Sequence, residues 1–119
     1  GLDQCLDLAR ALAQMIGDLG EEIGLVASSD MSHYVEDRQA RTLDQMAIDS
    51  VLERNPNSLY ETVHREGITM CGVVPATVVI EAANRLGSSG AHLVAYATSG
   101  DVSGDRTAVV GYAGMCIHK

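Results

Sequence analysis

The sequence contains no Phe and no Trp, so its four Tyr are the only aromatic side chains in 119 residues. Proteins that bind single-stranded nucleic acid stack bases on several aromatic rings, and this chain offers no such platform. Basic residues are also few, since sixteen acids against eight bases give a net charge of −8. This charge repels phosphate backbones and anionic membrane surfaces. We therefore predict neither nucleic acid nor a membrane as a partner.

Long apolar runs and paired cysteines are missing as well. No run approaches the ~20 residues that a bilayer-spanning helix needs, and no basic segment followed by an apolar one marks a signal peptide. The three cysteines, Cys5, Cys71 and Cys116, are odd in number and have no paired spacing. This excludes a disulfide framework and a CxxC zinc site. Free thiols are typical of a reducing compartment, so we predict a cytoplasmic protein.

What is present is an alternation of helical and strand patterns in a chain whose length suits one domain. Apolar residues recur every three or four positions in the helical segments, and short apolar runs mark the strands. The predicted order is helix 2–19, strand 23–27, helix 37–54, helix 58–65, helix 76–86, strand 92–98 and strand 107–115. We therefore predict an α/β fold in which the helices pack on a small mixed sheet.

The predicted sheet is thin, and the chain begins with Gly1 rather than Met. Either the start was processed or the sequence is a piece of a longer chain, and we favour the second interpretation. Residues 1–119 are then expected to form a single domain or a half-domain. An exposed sheet edge in a half-domain would invite pairing with a second copy, so a homo-oligomer is a further expectation.

The loop after the first predicted strand, residues 28–34, is the first candidate site. Ligands of α/β proteins bind beyond the carboxyl ends of strands. Histidine side chains such as that of His33 are suited to act as acid, base or ligand, and Asp30 is placed to orient it. Ser29 and Ser32 are further pocket candidates. The alternative is that these side chains only make turn and cap hydrogen bonds.

Cys71 is the second candidate, because it lies shortly before Pro75, where a helix is predicted to begin. A helix amino end favours the thiolate, which serves as nucleophile or metal ligand. The alternative is a small buried apolar residue. The Gly- and Asp-rich segment 99–106 contains Asp101, a third pocket candidate, but lacks the spacing of calcium and phosphate loops.

Three motifs resemble the MEMO family. They are Val26–Tyr34, Ile68–Pro75, and Thr98–Arg106 followed by Val109–Met115. The resemblance covers about residues 23–116, and family members are about twice this length or more, so the sequence is similar to their carboxy-terminal half. It implies the fold of the LigB-like class III extradiol dioxygenases, which open catechol rings with non-haem iron and dioxygen.

The resemblance also implies roles for individual residues. The family pocket holds a metal, described as iron or copper, between two histidines and a cysteine. Cys71 matches the cysteine ligand, His33 the acid–base histidine of the dioxygenases, and Asp30 the neighbouring carboxylate. The two ligand histidines belong to the amino-terminal half and have no counterpart here. No metal site is therefore expected within this chain alone, whereas the complete protein is expected to hold iron or copper.

Three functions stay open on this sequence. The first is one half of a metal-dependent redox or dioxygenase-like enzyme. The second is a non-catalytic module that binds a peptide or protein. The third is a cysteine hydrolase in which Cys71 is the nucleophile, His33 the base and Asp30 its orienting partner. The resemblance further implies AMMECR1-type and radical-SAM proteins as partners.

Overall fold

A computed structural model describes all residues from Gly1 to Lys119. Five helices pack against one three-stranded sheet, which confirms the α/β class. None of the five helices is both long and apolar enough to cross a bilayer. The elements in chain order are α1 (Leu2–Leu19), β1 (His33–Val35), α2 (Asp37–Leu52), α3 (Pro56–Glu66), α4 (Val73–Arg85), β2 (Gly90–Thr98), α5 (Gly100–Ser103) and β3 (Val109–His118).

The strands lie in the order β1-β3-β2, and both pairings are antiparallel where a mixture of directions was expected. The β2–β3 ladder runs from Gly90 opposite His118 to Thr98 opposite Gly111. Side chains alternate between the two faces of such a ladder. The inner face, which packs on the core, carries Leu93, Tyr96, Ala113, Met115 and Ile117.

The main core lies between this inner face and helices α2, α3 and α4. Leu59, Ile48 and Ile80 are almost fully buried there, and each such side chain contributes about 1.5–3 kcal/mol by leaving water. A smaller cluster joins α1 to α4 through Cys5 and Val78. The main cluster comprises Met31, Ala47, Ile48, Val51, Leu59, Val63, Ile68, Met70 and Ile80.

The helix boundaries follow from local chemistry, and the predicted helices are confirmed within a few residues. Helix α1 ends at Gly20, whose φ of 66° is a left-handed conformation that glycine adopts without strain. The Asn55 side chain caps α3 by accepting from Ser58 N, and Pro56 occupies the first turn. Helix α4 begins at Val73, so Cys71 lies immediately before the cap residue Gly72.

The predicted strand at residues 23–27 is wrong. This segment forms no ladder, and Val26 is 91% exposed. An apolar run becomes a strand only where a neighbour satisfies its backbone groups, and no strand of this sheet lies beside it. The strand forms later, at His33–Val35, because Val109 and Val110 of β3 pair with it.

Candidate metal centre

The site loop, residues 28–33, is fixed to the sheet by backbone hydrogen bonds. Met31 N donates to Gly111 O at 2.8 Å, and Gly111 N donates to Ser32 O at 2.9 Å. Strand β1 then continues the same contact along β3. The loop is therefore an extension of the sheet, and its side chains have defined directions.

A buried carboxylate fixes the loop from the other side. Asp44 Oδ1 accepts from Ser32 N at 2.9 Å and from Ser32 Oγ at 2.6 Å, and Asp44 Oδ2 accepts from Tyr96 OH at 2.5 Å. Asp44 is fully buried, and a Cβ on Gly111 would collide with it. Burial, and then the hydrogen bond to Asp44, raise the pKa of Tyr96. Ser32, a predicted pocket residue, thus makes a structural contact.

Asp44 was not among the predicted site residues, although the residue spacing of α2 contains a signal for it. The buried stripe of α2 runs through Ala40, Ala47, Ile48 and Val51 at helical spacing, and Asp44 occupies a position on that stripe. A carboxylate is rarely buried without partners. An acid in an apolar stripe therefore indicates a buried hydrogen-bond network, even before the partners are known.

His33 is held in one orientation by Thr69. His33 N donates to Thr69 Oγ1 at 2.7 Å, and His33 Nδ1 lies 2.6 Å from Thr69 O. A carbonyl only accepts, so Nδ1 carries the proton, and in the neutral ring Nε2 keeps its lone pair. Nε2 lies 3.4 Å from Asp30 Oδ2. A histidine whose other nitrogen donates to a carbonyl is the arrangement found in metal-ligating imidazoles.

Cys71 approaches the same point from the segment before α4. Its Sγ lies 3.4 Å from Asp30 N and 3.7 Å from Ser29 Oγ. Ser29 Oγ in turn accepts from Gly72 N at 2.8 Å and donates to Asp30 O at 2.6 Å. The two segments pack so closely that a Cβ on Gly72 would lie 2.5 Å from Ser29 Cβ. Glycine at position 72 is therefore required by the close approach.

The donor atoms of Asp30, His33 and Cys71 all lie within 4.8 Å of one another, and these residues are called the three-donor cluster below. Donors bound to a common tetrahedral ion at about 2.1 Å are roughly 3.4 Å apart, so the donor atoms of the cluster lie only a little farther apart than the ligands of one ion. Cys71 is exposed and the His33 side chain is 24% exposed, so solutes reach the cluster. The residues present fit a transition-metal ion.

Asp101 lies outside this cluster, in a ring of ion pairs. Its Oδ1 accepts from Arg41 at 2.8 Å and from Arg106 at 3.0 Å, and both arginines also contact Asp37. The hydrogen bond from Thr98 N and that from Arg106 lower the pKa of Asp101. Its contacts are those of a residue that fixes the segment 99–106 to the start of α2.

An apolar groove adjoins the cluster. It has a volume of about 980 Å³. Ser29 connects the groove to the cluster, because Ser29 lines the groove and its Oγ also contacts Cys71 Sγ. Volumes of this size are typical of ligand pockets. The apolar lining includes Ile16, Met31, Met70, Val79, Ile80 and Met115.

Comparison with known proteins identifies the family of this chain. The family model described as "Memo-like protein" matches residues 2–116. The chain belongs to the MEMO family. The resemblance found in its motifs is thereby confirmed.

Curated relatives carry the same family description. A MEMO1 family protein of Methanosarcina mazei is 37% identical over 115 residues, which are 97% of this chain and 43% of that protein. One of Methanocaldococcus jannaschii is 38% identical over 97% of this chain and 40% of its own length. One of Aquifex aeolicus is 43% identical over 92% of this chain and 40% of its own length. The chain spans about two-fifths of these relatives.

Proposed function

We propose that this MEMO-family chain supplies one side of a metal-binding pocket, in which Cys71 binds iron or copper and His33 exchanges a proton with the substrate. The single observation that carries the proposal is the convergence of the three-donor cluster within 4.8 Å. Asp30 and Cys71 are 41 positions apart in the sequence. Donor groups of different chemical types that come together from distant segments are typical of an active site, and here they are exposed on one surface next to a groove.

The donor chemistry supports this assignment. Thiolate and imidazole ligands suit copper and iron, and carboxylate suits iron as well. In the proposed pocket, further ligands come from outside residues 1–119, since the relatives are more than twice as long as the part that this chain matches. When bound, such an ion supplies one-electron or dioxygen chemistry, as in the dioxygenases that the motifs resemble.

The residues of this chain then have separate tasks. His33 Nδ1 donates to Thr69 O, with 2.6 Å between the two atoms, which leaves Nε2 as the atom that takes or gives a proton. Asp30 Oδ2, 3.4 Å from Nε2, is placed to orient the imidazole. Asp30 N also contacts Cys71 Sγ at 3.4 Å, so one residue fixes the positions of both functional groups.

Metal analysis of the full natural chain that contains residues 1–119 tests the proposal. We expect Cys71→Ser to lower the affinity for iron or copper at least about 10-fold, because loss of a ligand costs at least as much as loss of an outer partner. His33→Gln is expected to retain the metal but to change the pH dependence of its absorption spectrum. His64→Gln is the matched control, since His64 Nδ1 bonds Tyr60 O as His33 Nδ1 bonds Thr69 O. Equal metal content in wild type and Cys71→Ser contradicts the proposal.

A second candidate function is recognition of a peptide or protein, and the groove favours it. The groove is mainly apolar and meets the three-donor cluster at Ser29. Such a surface suits a peptide whose apolar segment lies in the groove and whose polar end contacts the cluster. A folded protein that binds a peptide but takes up no metal would support this function over catalysis. The AMMECR1-type and radical-SAM partners stay a prediction.

The geometry does not favour a cysteine hydrolase. A thiol nucleophile needs its base within a hydrogen-bond distance of about 2.6–3.2 Å. Cys71 Sγ instead contacts Ser29 Oγ and Asp30 N, and no hydrogen bond joins it to the His33 ring. An alkylation rate at Cys71 no faster than at Cys5 would exclude an activated thiol.

A further inference from the structure

The outer face of the β2–β3 ladder, opposite the core, carries three side chains of types that can bind metals. His92 lies directly opposite Cys116, and His118 follows Cys116 by two positions. Side chains two apart on a strand share a face, as do those of directly opposed residues. All three residues are exposed. Cys116 and His118 are close in the sequence, whereas only the strand register brings His92 beside them.

The two imidazoles already approach each other. The ring centroids of His92 and His118 are 5.7 Å apart, with an angle of 49° between the ring planes. The His118 ring lies over Gly90, its partner across the ladder, where a Cβ would be 2.7 Å from His118 Cε1. Glycine at position 90 therefore permits the ring to lie across β2, on the side of the ladder that His92 occupies.

Hydrogen bonding prepares one ring for metal binding. His118 Nδ1 lies 2.9 Å from Lys119 O, which only accepts, so Nδ1 carries the proton and Nε2 is free. A histidine that binds a metal through one ring nitrogen commonly donates the proton of its other ring nitrogen to a carbonyl in this way.

We propose that His92, Cys116 and His118 form a second metal site, which binds Zn²⁺ through two imidazoles and one thiolate. Three protein ligands with a fourth position left for water is a known zinc arrangement. Directly opposed residues have Cβ atoms about 4.5–5.5 Å apart, and diagonal pairs are within reach of long side chains. The donor atoms of these residues do not yet lie as close together as those of the three-donor cluster, and rotation of the exposed side chains between staggered conformers is the movement that would bring them onto one ion. None of the three residues belongs to the three-donor cluster.

Zinc titration of the full natural chain in a Cys71→Ser background, which removes the thiolate from the first site, tests this inference. We expect one equivalent of Zn²⁺ to bind. Cys116→Ser, His92→Ala and His118→Ala added to this background are each expected to weaken binding at least about 10-fold. His64→Ala is the control, because it removes an exposed histidine from helix α3 and should leave zinc affinity unchanged.

Alkylation of Cys116 gives an independent measurement. Because a zinc-bound thiolate is shielded, zinc should slow the alkylation of Cys116 by iodoacetamide at least about 10-fold, and His92→Ala should remove this protection. The inference is overturned if the Cys71→Ser protein binds no zinc. It is also overturned if the His92, Cys116 and His118 variants bind zinc as tightly as their parent, or if zinc leaves the alkylation rate of Cys116 unchanged.

Discussion

Replacement of Tyr96 by Phe tests whether Asp44 anchors the site loop. The substitution keeps the ring and deletes only the hydroxyl group, which donates to Asp44 Oδ2 at 2.5 Å. A hydrogen bond to a charged group contributes about 1.5–3 kcal/mol, and its loss leaves a carboxylate oxygen unsatisfied in the fully buried Asp44. We expect the free energy of unfolding to fall by about 1.5–3 kcal/mol, and Tm by roughly 6–12 °C.

Urea unfolding followed by circular dichroism measures this change. Tyr112→Phe is the matched control, because Tyr112 is 45% exposed and its change to Phe should alter stability by less than about 0.5 kcal/mol. The reasoning is refuted if Tyr96→Phe also stays within about 0.5 kcal/mol of wild type. In that case the Asp44 network would not hold the loop in the way that its distances indicate.

Alkaline pH provides a second test of the same residue. Burial and the hydrogen bond to Asp44 raise the pKa of Tyr96, so the folded state keeps the phenol proton to higher pH than the unfolded state does. The contribution of the Tyr96 hydroxyl group to folding stability is therefore complete below its unfolded pKa of about 10. It is lost as pH rises from there towards the higher pKa of the folded state. The stability difference between wild type and Tyr96→Phe should therefore narrow above about pH 10.

Two further predictions concern the ion-pair ring and the close approach at the site. Hydrogen bonds, led by that from Arg41, lower the pKa of Asp37 to about 2. The Asp37 carboxylate therefore contributes fully to folding stability above its unfolded pKa of about 3.8, and this contribution is lost as pH falls towards 2. Between these pH values, Asp37→Asn should lose less folding stability than wild type does, as measured by acid unfolding. Gly72→Ala should weaken metal binding at least about 10-fold, because its Cβ would displace Ser29. Gly24→Ala, which meets open space, should bind metal as wild type does.

The helices were predictable because their signals are local. Apolar spacing marks α1 and α2, and Asn55 with Pro56 marks the break before α3. The strands depend on distant partners, which is why the apolar run 23–27 was wrongly assigned, while His33–Val35, which lay in a predicted loop, pairs with β3. A strand without a neighbour has no means of satisfying its backbone groups.

The arrangement of the candidate site was predictable in part. The pairing of His33 with Asp30 is local in sequence and was expected from the loop itself, while the meeting with Cys71 was implied only by the family resemblance. Thr69 and Asp44, which hold the cluster in place, were missed because their roles arise from packing between segments. The same applies to the outer face of β2–β3, where only the register of the ladder brings His92 and Cys116 together.

Strand β2 lies at the end of the sheet order, so one side of its nine-residue backbone has no partner within this chain. It contains no Pro, Lys, Asp or Glu, the residues that usually discourage another strand from adding there. Expressed by itself, the chain would offer a template to any extended segment that meets it. Its tendency to precipitate would then rise with protein concentration, despite the strong negative charge, unless another strand pairs with the free edge of β2.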